Sequence, residues 1–211
     1  MKNNAVLFGQ RFFPESGILE DLLVAFGGSA LIALSAQISI GSGPSPITGF
    51  TLGVFLVALF FGAKRAVLAL SMYFLEAAIG LPVLTGLLGG WNRLVLPNAG
   101  YFVAAFVAAF TVGSLADRGW TRKPQLIFAA VLIGTALIYI IALPWLAIAA
   151  PEIPFPQTDQ TQAVSSNSVL NVLKAGFFPF LMGDLIKALI CVVVFIGAWA
   201  LDLRFTLDKN L

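Results

Sequence analysis

Long apolar runs, separated by short polar or glycine- and proline-rich breaks, make up most of this chain. A membrane-spanning helix needs about 20 mainly apolar residues, and most of the runs reach or approach that length. We therefore expect an all-α integral membrane protein built from six transmembrane helices. The predicted spans cover residues 22–40, 50–62, 66–80, 101–115, a part of 125–150, and 180–201.

These spans predict one membrane domain, residues 22–202, between two tails. Residues 1–21 end in an acidic pair and are expected to form a cytoplasmic or interfacial tail, and residues 203–211 a cytoplasmic C-terminal tail. Residues 1–20 lack the apolar core of a signal peptide, so we expect no cleaved signal. The fifth run is long enough either to tilt or to end at Pro144.

The composition strengthens the membrane assignment and removes several kinds of chemistry. Of the 211 residues, 59% are hydrophobic and 10% are charged, whereas a soluble domain carries about 25% charged residues. The net charge of +2 does not indicate nucleic-acid binding, and the absence of histidine removes histidine-based metal sites and catalytic triads. Nucleotide-binding and hydrolase motifs are missing as well. We therefore expect no enzyme activity and no cofactor; active transport would take its energy from another subunit or an ion gradient.

The basic residues indicate which way the chain is threaded. Six spans with short connections put both termini on one side, and lysine and arginine are enriched on the cytoplasmic side. The loops opposite the termini hold Arg93, with Lys174 near the membrane surface. We expect cytoplasmic termini and outward-facing loops at residues 41–49, 81–100 and 151–168. The basic residues on the side of the termini are Lys2, Arg11, Lys64, Arg65, Arg118, Arg122, Lys123, Arg204 and Lys209.

Two pairs of polar residues interrupt the apolar spans. Asp184 and Lys187 are three residues apart, as are Tyr73 and Glu76, and residues at this spacing share a helix face. An ionisable residue near the bilayer centre costs about 2.5–3.5 kcal/mol on insertion scales, so such residues usually face a bundle interior and mark a site. With the predicted threading, both pairs lie in the outer half of the membrane. A buried ion pair that only joins two helices is the structural alternative.

These groups predict a pocket for a small ligand, with an apolar lining and a few convergent polar groups. A lysine or arginine would hold a carboxylate, and Asp184 would accept N–H bonds from a neutral polar ring. The candidate substrate-binding residues are Asp184, Lys187, Tyr73, Glu76, Arg93, Asn98, Gly100, Tyr101, Thr48 and Phe180.

Small residues repeat every four positions in the first span, at Ala25, Ser29 and Ala33. Such a stripe lets another helix approach closely. Two interpretations are equally open: packing inside this protein, or contact with another subunit. A second stripe, Ala105, Ala109 and Gly113, lies in the fourth span.

Four short blocks along the chain carry a resemblance to a known family. Their sequences are PSPIT at 44–48 with TLG at 51–53, YFLEAAIGLPV at 73–83, PNAGYF at 97–102, and PFLMGDLIK at 179–187. In this order and spacing they resemble the blocks of BioY, the biotin-specific substrate-binding (S) component of energy-coupling factor (ECF) transporters. The chain departs from the usual family pattern at Phe50, where glutamine is usual, and at Asn98-Ala99, where threonine and glycine are usual.

The resemblance implies a six-helix S-component bundle with a biotin site near the outer surface. It implies that Asp184 and Lys187 contribute to that site and that the loop 81–101 closes over it. It also implies that the small-residue face of the first helix docks on the coupling subunit. The implied partners, in the cell membrane, are a transmembrane coupling subunit and two cytoplasmic ATPases. An S component for another carboxylate-bearing vitamin, such as pantothenate or a thiamine precursor, and a non-transport membrane assembly protein remain alternatives.

Overall fold

The computed structural model describes residues 17–40, 47–95, 99–149, 173 and 176–208. Within these residues the fold consists of six α-helices, one 3₁₀ turn and one two-stranded antiparallel ribbon. The helices are α1 (Ile18–Gln37), α2 (Phe50–Ala78), α3 (Trp91–Leu94), α4 (Ala99–Asp117), α5 (Pro124–Ala149) and α6 (Phe178–Asp208). The 3₁₀ turn is Trp120–Arg122, and the ribbon pairs β1 (Ser39–Ile40) with β2 (Ile47–Thr48).

The long helix α2 is folded back on itself at Gly62. This residue has φ 82° and ψ −179°, a conformation that is essentially restricted to glycine. The rings of Phe50 and Tyr73 are only 5.5 Å apart, which a straight helix would not allow. Two antiparallel arms, residues 50–61 and 63–78, therefore form a helical hairpin. Five described helices are long and apolar enough to cross a membrane, and the hairpin turns them into six passes.

Two interactions from α4 fix the corner of this hairpin. Asp117 Oδ2 accepts a hydrogen bond from the backbone N–H of Ala63 at 3.1 Å, which satisfies a free donor at the start of the second arm. Gly113 lies so close that a Cβ at this position would be 2.5 Å from Ala63 Cα. The small-residue stripe of the fourth span thus packs inside the protein, as its buried Ala105 and Ala109 also show.

Acidic and basic side chains join α1 to the same corner. Asp21 binds Lys64 Nζ at 2.6 Å and Arg65 Nε at 3.0 Å. We call the Gly62 corner, the start of α1 and the turn 118–123 the basic end of the bundle. The ribbon, residues 79–90, α3 and the start of α6 form the opposite end, called the site end.

The helices pack in a simple order: α1 on α2, α2 on α4, α4 on α5, and α5 on α6. Helix α1 starts at the basic end, and α6 runs from the site end towards the basic end, where Phe195 stacks on Phe60. The lengths and composition of these helices are those of a multi-pass membrane protein. Which end faces the cytoplasm stays a prediction from the basic residues.

Three details differ from the expectations. Helix α5 continues through Pro144 to Ala149, so the alternative that the span ends at this proline is wrong. Helix α6 runs past the predicted domain limit to Asp208. The first outward loop contains β2, which pairs with β1 directly after α1, so the fold is not entirely helical.

Candidate functional site

A buried polar cluster lies on α6, two turns from its start. Lys187 Nζ is 3.0 Å from Asp184 Oδ1, and it also donates to Thr51 Oγ1 at 3.0 Å. The hydroxyl of Tyr139 donates to Asp184 Oδ2. Asp184 and Lys187 are 8% and 9% exposed, and Tyr139 is 8% exposed. We call these four residues the polar cluster.

Local sequence explains why the cluster forms here. Pro179 occupies the first turn of α6, where its missing N–H does not break a helical hydrogen bond. Asp184 and Lys187 follow on one helix face. Gly183 lets the ribbon approach this part of α6, since a Cβ there would be 2.7 Å from Ile47 Cγ2. The ribbon therefore lies directly beside the cluster.

Two members of the cluster, Tyr139 and Thr51, were not among the predicted site residues. Both lie in predicted spans, and Thr51 belongs to the first family block. Hydroxyl residues are common in membrane helices, so a tyrosine or a threonine in a span does not by itself indicate a ligand site. Their partners depend on how the first arm of α2 and α5 are rotated against α6, which the sequence pattern does not give.

Tyr101 and Gly100 lie at the start of α4, and Phe180 lies at the start of α6. Tyr101 donates a hydrogen bond to the carbonyl of Gly176 at 2.9 Å. Gly100 contacts α5, because a Cβ there would be 2.5 Å from Trp145 Cγ. Phe180 is half-buried in the first turn of α6. Tyr101 thus joins the start of α4 to the chain that leads into α6.

The other predicted pair lies on a different interface. Glu76 Oε1 accepts a hydrogen bond from Ser29 Oγ of α1 at 2.9 Å. Tyr73 is buried against Phe50 and Phe74. Among the described residues, the hydrogen bonds of Glu76 do not reach the polar cluster. The expected single vestibule is therefore divided into two groups, because Glu76 faces α1 while Asp184 faces α5.

The remaining predicted site residues lie at the site end. Thr48 is half-buried and pairs with Ser39 in the ribbon. Arg93 is exposed in the short helix α3. Asn98 lies outside the described residues. Among the described residues, neither Thr48 nor Arg93 forms a hydrogen bond with the cluster, and Thr48 lies in a segment that contacts α6.

A residue outside the predictions, Gln37, fixes the loop of residues 79–90. Its Nε2 donates to the carbonyls of Ala33, Val83 and Leu84 at 3.1–3.2 Å, and its Oε1 accepts from Leu87 N at 3.0 Å. Leu87 has φ 56°, an unfavourable value for a residue with a side chain. Gln37 therefore anchors a strained loop to the end of α1.

The small-residue stripe of α1 packs within the chain. Ala25 and Ser29 are 4% and 1% exposed, Ala33 is half-buried, and Ser29 binds Glu76. Between them, Gly28 lies against Ala69 of α2. The docking assignment of Ala25 and Ser29 therefore needs correction: both side chains are already covered by the hairpin, and the internal-packing interpretation applies.

Comparisons with known proteins agree with the arrangement of the helices. A family model described as the BioY family matches residues 4–203. The chain is similar to the "Biotin transporter BioY" of Thermotoga maritima, with 34% identity over 79% of this chain and 88% of the relative. It is also similar to the "Biotin transporter BioY" of Rhizobium etli, with 30% identity over 82% of this chain and 89% of the relative.

One solved structure has the same fold. It is described as the S-component for biotin from an ECF-type ABC transporter, and it matches with a TM-score of 0.66 and 24% identity. The match covers 84% of this chain and 89% of the solved chain. The bundle described above is therefore an S-component fold.

Proposed function

Because this chain belongs to the BioY family, we propose that it is the biotin-binding membrane subunit of a biotin uptake system. The observation that carries the proposal is the polar cluster, which holds two opposite charges at the site end of an otherwise apolar bundle. A buried ion pair often contributes little to stability compared with well-packed apolar residues. Ionisable side chains that face the interior of a membrane bundle, as these two do, are the pattern expected of a ligand site.

The cluster fits the polar ring of biotin better than its carboxylate. Biotin carries a cyclic urea at one end and a carboxylate at the end of an aliphatic chain. Lys187 lies 3.0 Å from Asp184, so both charged groups meet the same part of a ligand. This differs from the expectation that Lys187 binds the carboxylate of the ligand while Asp184 binds the ring. The exposed Arg93 at the site end is the better partner for the carboxylate.

Biotin binding to the purified subunit in detergent tests the proposal. We expect tight binding by calorimetry and a higher melting temperature with biotin, since a ligand that binds only the folded state stabilises it. Asp184→Asn and Lys187→Met should each weaken binding at least tenfold, about 1.4 kcal/mol.

The basic end offers matched controls for these two substitutions. Asp21→Asn and Lys64→Met remove the same chemical groups from an ion pair at the opposite end of the bundle. Both variants should keep the wild-type affinity for biotin. Equal affinity in the Asp184 and Lys187 variants would refute the assignment of the site.

A panel of ligands separates biotin from other carboxylate-bearing vitamins. We expect biotin to raise the melting temperature, and pantothenate and a thiamine precursor to leave it unchanged. A membrane assembly protein, in which the pair is only structural, would respond to none of them. It would also tolerate the exchange of Asp184 and Lys187 better than a binding subunit would.

The proposed energy source is an ECF module made of a transmembrane coupling subunit and two cytoplasmic ATPases. The absence of a nucleotide-binding loop motif from the sequence supports this arrangement. We expect the tagged subunit, purified from its own membranes, to bring these proteins with it. Uptake of labelled biotin that continues after depletion of the ATPases would argue against this part of the proposal.

A further inference from the structure

Two hydroxyl groups from neighbouring helices hold the charged pair of α6. Tyr139 of α5 donates to Asp184, and Thr51 of α2 accepts from Lys187 at 3.0 Å. Asp184 and Lys187 lie on the same helix, so their mutual contact does not fix them relative to the rest of the bundle. The two hydroxyls supply that fixed reference from two other helices.

We propose that Tyr139 and Thr51 are positioning residues for ligand recognition, which aim Asp184 at a ring N–H and Lys187 at the ring carbonyl. This inference rests on the proposed biotin function and deepens it. It gives both hydroxyls a role in choosing the ligand, beyond holding the helices together.

The hydrogen bonds inside the cluster leave a defined remainder for a ligand. A carboxylate offers about four acceptor positions, and the cluster uses one on each oxygen of Asp184. An ammonium has three N–H donors, and two of those of Lys187 are used. As far as the described residues show, two acceptor positions on Asp184 and one donor on Lys187 remain, on groups 3.0 Å apart. A cyclic urea, which has an N–H beside a carbonyl oxygen, complements this arrangement.

The ring of Tyr139 is itself held in place. It meets Phe177 edge to face, with ring centroids 4.8 Å apart and an interplanar angle of 77°. This contact lies at the entrance to α6, and Tyr139 is nearly fully buried. Tyr139→Phe keeps the ring and its contact with Phe177 and removes only the hydroxyl. The variant therefore isolates the hydrogen bond to Asp184.

A positioning role and a purely structural role make different predictions for modified ligands. If Tyr139 only stabilises the bundle, its loss weakens all ligands by the same factor. If Tyr139 aims Asp184, removal of its hydroxyl hardly changes the affinity for a ligand that already lacks the ring N–H. The two changes are then coupled, as expected for groups that act through one contact.

The experiment measures the affinities of wild-type protein and Tyr139→Phe by displacement of radiolabelled biotin in detergent. The ligands are biotin, biotin methyl ester, and the two derivatives methylated on one ring nitrogen. We expect at least tenfold weaker binding of biotin and of the ester by the variant. For one of the N-methyl derivatives we expect Tyr139→Phe to weaken binding by less than about threefold. This derivative already lacks the N–H that Asp184 binds, and the hydrogen bond to this charged group accounts for most of the loss.

Thr51→Val tests the other half of the proposal and remains informative if Tyr139→Phe does not fold. It should weaken the binding of biotin more than the binding of 2-thiobiotin, because the sulfur of 2-thiobiotin is a poorer hydrogen-bond acceptor for Lys187. Thr111→Val is the control, because its hydroxyl bonds the Val107 carbonyl of its own helix, and it should bind all ligands normally.

Two results would overturn the inference. If both variants lose the same factor of affinity for every ligand, the hydroxyls have a structural role only. If both variants bind biotin as tightly as the wild type, the hydroxyls have no role in binding. Failure of the wild-type protein to bind biotin would instead refute the proposed function, and the inference with it.

Discussion

The two ends of the bundle each hold a pair formed by an aspartate and a lysine, but in opposite surroundings. At the basic end, the side chain of Lys64 is 72% exposed where it meets Asp21. In the polar cluster, the side chains of Lys187 and Asp184 are each 11% exposed. Because Lys64 stays in water, its contact with Asp21 forms at little cost and contributes little. The buried pair requires the removal of water from two charges, so its presence is better explained by binding than by stability.

The largest expected effect comes from breaking the buried pair on one side only. Lys187→Met leaves Asp184 as an unpaired buried charge, which should lower the free energy of unfolding by about 3–5 kcal/mol. Asp184→Asn combined with Lys187→Met removes both charges and should recover a large part of that loss. Thermal denaturation in detergent without ligand measures both. A double variant less stable than Lys187→Met would show that the pair stabilises the fold.

The next effect concerns the backbone of the basic end. Gly62→Ala places a side chain in a conformation reserved for glycine, at a cost of about 1–3 kcal/mol. Gly27→Ala in α1 is a matched control, since a Cβ at Gly27 meets nothing within 4 Å. We expect a lower melting temperature for the first variant and no decrease for the second. Equal melting temperatures would mean that the corner relaxes without strain.

A comparable loss is expected at the site end from Gln37→Leu. The variant removes the hydrogen bonds between the Gln37 side chain and residues 79–90 and replaces it with an apolar side chain of similar size. Each lost bond to a partly buried backbone group costs on the order of 1 kcal/mol. Limited proteolysis should cut residues 79–90 faster in the variant. Unchanged cleavage would show that the loop holds its shape without Gln37.

The smallest effect is expected at the exposed Lys64. Lys64→Met should change the free energy of unfolding by less than about 1 kcal/mol, and the difference should shrink further at high salt. Denaturation at low and high salt measures it. A loss as large as that of Lys187→Met would remove the contrast between the two ends.

Hydropathy predicted most of the fold because each pass through the membrane must be apolar over a minimum length. The break at Lys64 and Arg65 correctly separated the second and third spans. The conformation of the turn was not predictable, because the chain reverses at Gly62 through a positive φ. A hydropathy pattern does not show backbone angles. Pro144 was ambiguous for a similar reason: neighbouring helices decide whether a proline ends a membrane helix.

The site was predictable where charge made burial expensive. Asp184 and Lys187 stand out from an apolar helix, and the structure places them together. The spacing of Tyr73 and Glu76 also predicted a shared face, but spacing does not say which helix that face meets. Glu76 meets Ser29 of α1. Tyr139 and Thr51 were missed because a hydroxyl becomes part of the cluster only through helix rotation.

The pairing of Asp184 with Lys187 also bears on the electrical behaviour of the membrane. An elementary charge that crosses a potential of 100 mV exchanges about 2.3 kcal/mol with the field. Opposite charges held 3.0 Å apart on one helix sum to zero and move together. A shift of α6 along the membrane normal therefore carries no net charge from this pair, and the voltage does no work on it.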